Sequence, residues 1–133
     1  PENVGVSADM NDPANSIISL IESRGDVVGA FAGNNVFTPA LAQAVAQTGL
    51  TGEICAYGFD LGPAQQEALR TGALTGALGQ QPFLQGYLAV DAVWLYLTNR
   101  NVIGGGQPTL TGPSFVDESN IESVADLAEA GTR

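Results

Sequence analysis

The chain has 133 residues, of which 44% are hydrophobic; this suffices for one globular domain with its own core and excludes a disordered tail. It carries 14 acidic residues, four arginines and no lysine, and the formal net charge of −10 excludes a basic face for nucleic acid. It has no histidine, so a transition-metal site is not expected, and its one cysteine, Cys55, lies inside an apolar run and is expected to be a buried, unreactive thiol.

Four apolar runs, each followed within a few residues by a proline, predict four strands that alternate with helices. The runs cover residues 4–8, 27–32, 54–59 and 74–78, and the prolines are Pro13, Pro39, Pro63 and Pro82. Proline is favoured at the first position of a helix, because its missing N–H would have no partner there. Asp12 and Thr38 stand directly before two of these prolines and are predicted to be N-caps.

Apolar residues at helical spacing follow the prolines. The longest stripe predicts a helix that packs into the core, and consists of Phe83, Tyr87, Val90, Trp94 and Leu97. Gly25, Gly49 and Gly72 stand where helix C-caps belong. The repeat of strand, loop and helix is typical of an α/β fold with parallel βα repeats. After a glycine loop, residues 109–111 are predicted to form one more strand and residues 121–130 a last helix capped by Asn120.

Polar residues follow the predicted strands at the points where they end. They are Asp9, Asn34, Asn35, Asp60, Gln80 and Gln81. Because ligands bind beyond the carboxyl ends of the strands in an open parallel sheet, these positions predict a binding site. Carboxylates accept hydrogen bonds, and amides donate and accept them, which suits the hydroxyl groups of a neutral polyol. No basic residue stands near them in the sequence.

Each of these residues also has a purely structural interpretation. Asp and Asn after a strand often cap a helix or form an Asx-turn. Only one of Asn34 and Asn35 needs to face a ligand, and Asp9 lies in a longer loop. Gln81 is expected to cap the following helix. The site is therefore predicted from several positions taken together and from no single one.

The motifs "VVGAFAGNN", "AYGFDLGP" and "GALTGALGQQPFLQGYLAV", in this order, resemble the C-terminal part of the periplasmic sugar-binding proteins of ABC transporters, of the ribose-binding or type I class. The resemblance implies a Rossmann-like lobe, here incomplete, because family members have two lobes that close on a sugar. It implies that Asn34, Asp60 and Gln80 contact the sugar.

The resemblance also implies how the chain is organised. Residues 1–80 would be the latter half of the second lobe, and residues 81–133 would return towards a missing first lobe. The chain is expected to be a piece of a longer protein, and its uncovered surfaces would be completed by that first lobe or by self-association as a dimer. A sugar and an ABC transporter permease are the implied partners, no cofactor is implied, and the implied location is periplasmic or extracellular, membrane-associated in a Gram-positive host.

Three functions are open at this point. Solute capture for import is the main hypothesis, and a ligand-sensing effector domain of a sugar-responsive regulator with the same fold is the alternative. An enzyme is the third, but the sequence has no G-x-S-x-G elbow, and its glycine run at residues 104–106 follows a helix where a phosphate loop would follow a strand. The sequence does not identify the sugar.

Overall fold

The computed structural model describes residues 12–133, so the strand predicted at residues 4–8 and the candidate Asp9 lie outside the described residues. Helices and strands alternate along this part of the chain. In chain order they are α1 (Pro13–Arg24), β1 (Gly29–Phe31), α2 (Phe37–Gln47), β2 (Cys55–Phe59), α3 (Pro63–Thr71), β3 (Gly76–Gly79), α4 (Pro82–Asn99), β4 (Ser114–Val116) and α5 (Ala125–Glu129). Short 3₁₀ turns occur at Ile103–Gly106 and Ile121–Ser123.

The first and third helices begin and end where the prolines and glycines predict. The Asp12 side chain accepts a hydrogen bond from the backbone N–H of Asn15 at 3.2 Å and so caps α1. Gly25 ends this helix in the left-handed conformation, with φ at 65°. The third helix begins at Pro63 and ends before Gly72, whose φ is 77°. These local signals suffice because they satisfy backbone groups that the helix itself leaves open.

The second helix begins earlier than predicted. It starts at Phe37, so Thr38 lies inside the helix and the prediction of Thr38 as N-cap is wrong. The reason is that the Asn34 side chain accepts hydrogen bonds from backbone N–H groups at the helix start and takes the capping role. Gly49 follows the helix with φ at 71°, as its predicted position at the C-terminus requires.

The four strands form one sheet in the order β1–β2–β3–β4. The first three are parallel, with Ala30 opposite Ala56 and Gly58 opposite Ala77. β4 is antiparallel to β3 and places Val116 opposite Ala77. The predicted α/β fold is confirmed, with one antiparallel strand at the edge of an otherwise parallel sheet.

The fourth strand is not where the sequence predicted it. Residues 109–111 are not a strand, and the pairing segment is Ser114–Val116. The difference follows from burial, because Val116 is 1% exposed in the core whereas Leu110 is 84% exposed. Pairing through Val116 buries apolar area that pairing through Leu110 would leave in water.

The helices α2 and α3 cover one face of the sheet and form the core with it. Leu41, Val45 and Leu69 are buried there among the inward-facing residues of the strands. Gly58 permits the close approach of α2, since a Cβ at this position would lie 2.2 Å from Cγ2 of Thr38. A side chain at this point of β2 would therefore push the helix off the sheet.

The opposite face of the sheet is open within residues 12–133. Phe31, Tyr57 and Phe115 are exposed there, and Phe31 meets Phe59 edge to face at 5.6 Å between ring centroids. Cys55 lies on this face and is exposed, so the prediction of a buried thiol is wrong. Strand side chains alternate between faces, and the apolar run alone does not indicate whether both faces are covered.

The long helix α4 is also not packed as predicted. None of its residues is buried, and Trp94, which was expected in the core, is 59% exposed. The apolar stripe is present on the helix, but no part of residues 12–133 covers it. None of the helices in this range is both long and apolar enough to cross a membrane.

The predicted last helix is divided in two. A 3₁₀ turn at Ile121–Ser123 precedes α5, and Asn120 makes no side-chain cap. Instead its Oδ1 accepts a hydrogen bond from the N–H of Asp117, and its Nδ2 donates to the Phe115 carbonyl. Asn120 thus closes the turn after β4 rather than starting a helix.

Candidate functional site

The carboxyl ends of β2 and β3 bring two predicted site residues together. Nε2 of Gln80 donates a hydrogen bond to Oδ1 of Asp60 at 3.0 Å. The backbone N–H of Asp60 donates to the Leu78 carbonyl at 3.0 Å and continues the pairing of the two strands past their ends. Of the two carboxylate oxygens of Asp60, only Oδ1 accepts a hydrogen bond from a residue in the range 12–133, so Oδ2 is open to a ligand hydroxyl.

The backbone after these two strands adopts the left-handed conformation, which residues other than glycine seldom adopt. Asp60 has φ at 69° and Gln81 has φ at 58°, both in the left-handed region. Asp is tolerated there more readily than Gln, and such residues cost on the order of 1–3 kcal/mol where the fold enforces them. Sequence reasoning did not identify this feature, because no local signal marks a positive φ at residues other than glycine.

Gln81 does not cap α4 with its side chain, so that prediction is wrong. It occupies the position before the helix, but its left-handed backbone turns the side chain away, and Nε2 donates to the Thr111 carbonyl. Nε2 of Gln85 donates to the Gln80 carbonyl at 2.7 Å. These two hydrogen bonds hold the Gln80 carbonyl and tie Gln81 to the segment at Thr111, while the amide of Gln80 itself faces Asp60.

Asn34 has the structural role that was its alternative interpretation. Its Oδ1 accepts hydrogen bonds from the N–H groups of Val36 and Phe37, each at 2.9 Å. Both Asn34 and Asn35 are exposed, and the Asn35 carbonyl accepts from Nε2 of Gln65 at 3.4 Å. Neither asparagine is hydrogen-bonded to Asp60 within the described residues.

A buried threonine joins the two strand ends. Oγ1 of Thr38 donates to the Asn34 carbonyl at 2.7 Å and accepts from the N–H of Phe59 at 3.0 Å. The loop that carries Asn34 and the strand that leads to Asp60 are therefore held at fixed separation. Sequence reasoning treated Thr38 as a helix cap and missed this link, which connects residues 21 positions apart.

A cavity of about 220 Å³ opens at the ends of β2 and β3. Its volume is below the range of about 300–1,000 Å³ that is typical of sites for drug-sized ligands, and suits a smaller molecule. Its polar side chains are Asp60, Gln80, Gln81 and Arg133. Arg133 was not predicted, because it is far from the strand ends in sequence and only the path of the last segment brings it there.

The chemistry of the cavity is that of hydrogen bonding. It offers a carboxylate that accepts hydrogen bonds, amides that both donate and accept them, and a guanidinium that donates them. Within residues 12–133 no group of three or more His, Cys, Asp or Glu side chains could hold a metal ion. A neutral ligand rich in hydroxyl groups matches this set of donors and acceptors.

Comparison with known proteins extends these observations. The family model described as "Periplasmic binding protein domain" matches residues 2–101. The xylose/arabinose-binding protein XylF of Sulfolobus acidocaldarius is 32% identical over 124 residues, which are 90% of this chain and 31% of that protein.

Two solved structures are similar over almost the whole chain. A carbohydrate transporter of Acidothermus cellulolyticus in complex with myo-inositol is 35% identical, with a TM-score of 0.80 over 95% of this chain and 43% of that one. A carbohydrate transporter solute-binding protein of Agrobacterium radiobacter in complex with D-arabinose is 25% identical, with a TM-score of 0.74 over 95% of this chain and 42% of that one. This chain thus spans about a third of the curated relative and less than half of either structure.

Proposed function

The chain belongs to the periplasmic binding protein family, and we propose from this premise that it binds a neutral monosaccharide or related polyol as part of the solute-binding component of an ABC importer. The observation that carries the proposal is the pair of Asp60 and Gln80 on a small cavity at the ends of two parallel strands. The similar proteins are described with xylose, arabinose and myo-inositol, which are all neutral polyols.

The cavity fits a hydroxyl-rich ligand for a physical reason. Taking a carboxylate such as Asp60 out of water is costly unless its oxygens are hydrogen-bonded. Gln80 satisfies one oxygen, and a ligand hydroxyl that donates to the other would complete the set. The same hydroxyl can also accept a hydrogen bond from a neighbouring donor. An aliphatic group neither donates nor accepts hydrogen bonds, and an anionic group only accepts them.

The site residues differ in the roles that we assign to them. Asp60 and Gln80 contact the ligand directly. Asn34 contributes at most its Nδ2 group, because its Oδ1 is engaged at the start of α2. Asn35 and Asp9 are further candidates for contact with the ligand.

The chain makes up one part of a two-lobed protein in this proposal. Residues 1–80 form the latter half of the second lobe, and residues 81–133 lead back to the first lobe. The exposed apolar stripe of α4 supports this arrangement, because an exposed apolar surface of that extent is typical of an interaction site. A dimer is the alternative way to cover it.

The partners and the location follow from the same family. The sugar-loaded protein would present its ligand to a permease in the membrane. The family is extracytoplasmic, and in a Gram-positive host we expect attachment to the outer face of the membrane. The reported relatives are described as binding or transport proteins, and no observation on the described residues specifically favours a regulator or an enzyme.

Replacing Asp60 with asparagine in the full-length protein tests the proposal. Asparagine keeps the size and tolerates the left-handed backbone, but it replaces a charged acceptor by a weaker one. Hydrogen bonds to charged groups contribute about 1.5–3 kcal/mol, so we expect affinity to fall about tenfold or more.

Calorimetric titration with myo-inositol, D-xylose and D-arabinose measures the effect. Glu118→Gln, an exposed position outside the cavity, removes the same charge and serves as the control. Equal affinities of the Asp60 variant and the parent for the best ligand would refute the assignment of Asp60, and the absence of binding to any polyol would refute the proposed function.

A further inference from the structure

We propose that Arg133 is a further ligand-binding residue of the strand-end cavity and makes it selective for uncharged polyols. This inference rests on the proposed function and adds a residue and a charge rule to it. Arg133 is half-buried and borders the same cavity as Asp60 and Gln80. Gly79, the last residue of β3, and Ala128 of α5 border it as well.

The use of arginine across the chain makes this position notable. The chain has four basic residues, all arginines, against 14 acidic ones. Nε of Arg24 lies 3.5 Å from Oδ1 of Asp26, and Nε of Arg70 donates a hydrogen bond to Oε1 of Glu122 at 2.7 Å. Arg100 lies over a tyrosine ring. The fourth arginine borders the cavity, and among residues 12–133 it is the only basic residue there.

A serine on β4 fixes the position of the guanidinium. Nη2 of Arg133 donates a hydrogen bond to the hydroxyl of Ser114, which stands directly opposite Gly79 in the sheet. The guanidinium is therefore anchored beside the end of β3, next to the residue that precedes Gln80. The Nε–H donor of Arg133 is buried and has no acceptor among residues 12–133. A side chain held in this way is already positioned before a ligand arrives.

Asp60 and Arg133 border one cavity but form no ion pair with each other within the described residues. Asp60 only accepts hydrogen bonds and the guanidinium only donates them. A hydroxyl group placed between them donates to Asp60 and accepts from Arg133 at the same time. The two charges add up to zero, so an uncharged ligand leaves the cavity neutral, whereas a ligand carboxylate would leave it with a net negative charge and repel Asp60.

The test uses calorimetric titration of the full-length protein with myo-inositol and D-xylose, and with D-xylonate as a charged ligand. We expect Arg133→Ala to lower the affinity for the better polyol about tenfold or more, because a charged donor is lost. Arg133→Lys should recover part of it, since lysine keeps the charge but not the fork. Ser114→Ala should lower it less, because the guanidinium remains but is no longer anchored. Arg24→Ala, which removes the same charge elsewhere, should bind like the parent.

The outcomes separate this inference from the proposed function. A loss of affinity in Asp60→Asn together with parental affinity in Arg133→Ala would overturn the role of Arg133 and leave the proposed function standing. Tighter binding of D-xylonate than of D-xylose would overturn the charge rule. A parent protein that binds none of the three would overturn both. Melting temperatures of all variants distinguish lost contacts from lost folding, and Ser114→Ala keeps the test decisive if Arg133→Ala does not fold.

Discussion

Replacing Thr38 with valine tests whether one buried hydroxyl ties α2 to the end of β2. Thr38 is 0% exposed, and its Oγ1 donates to the Asn34 carbonyl and accepts from the Phe59 N–H. Valine keeps the shape of the side chain, so little packing is lost. The Asn34 carbonyl keeps another donor, the backbone N–H of Thr38 at 3.1 Å. The main cost therefore falls on the Phe59 N–H, which loses its acceptor.

A buried donor without a partner costs about 1–3 kcal/mol, so we expect Thr38→Val to lower the free energy of unfolding by about 2 kcal/mol. Urea denaturation of the full-length protein should show a lower midpoint with an unchanged slope. Thr98→Val is the control, because this exposed hydroxyl donates only to the Trp94 carbonyl of its own helix, and its loss should cost less than about 0.5 kcal/mol. Equal midpoints for the two variants would refute the reasoning.

Two further predictions concern the end of the chain and its long helix. The hydrogen bond that Arg70 donates lowers the pKa of the Glu122 carboxyl. The ion pair should therefore stabilise the fold at pH values above the unfolded-state pKa of glutamate, and this stabilisation should be lost as the pH falls through the folded-state pKa. Urea midpoints of Glu122→Gln and parent should thus differ slightly at neutral pH and converge in acid; a constant difference would contradict this. If α4 packs on the first lobe, Trp94→Ala should lower the stability of the full-length protein by about 3–5 kcal/mol. An unchanged melting temperature would contradict it.

The elements that local chemistry determines could be predicted from the sequence. Helices α1 and α3 begin at Pro13 and Pro63 because proline removes a donor that the helix start would leave open, and glycines end them. The strands β1, β2 and β3 were recognised from the apolar runs at residues 27–32, 54–59 and 74–78, which these signals bound. The proximity of Asp60 and Gln80 followed from the rule that parallel strands end at one edge of the sheet.

The features that failed depend on contacts between distant segments. The position of β4 is set by the burial of Val116 against β3, and no local signal distinguishes it from residues 109–111. Trp94 and Cys55 have the sequence context of core residues, but their burial depends on which other segments are present to cover them. Arg133 reaches the cavity only because the segment after β4 returns to it.

The central claim is that a polyol binds at the ends of β2 and β3. A crystal structure of the full-length protein, grown with whichever of myo-inositol, D-xylose and D-arabinose binds most tightly, tests it most directly. We expect a ligand hydroxyl oxygen within about 3 Å of Oδ2 of Asp60 and another within hydrogen-bond distance of the Gln80 amide. A ligand bound elsewhere, with Asp60 contacting only Gln80 and water, would contradict it.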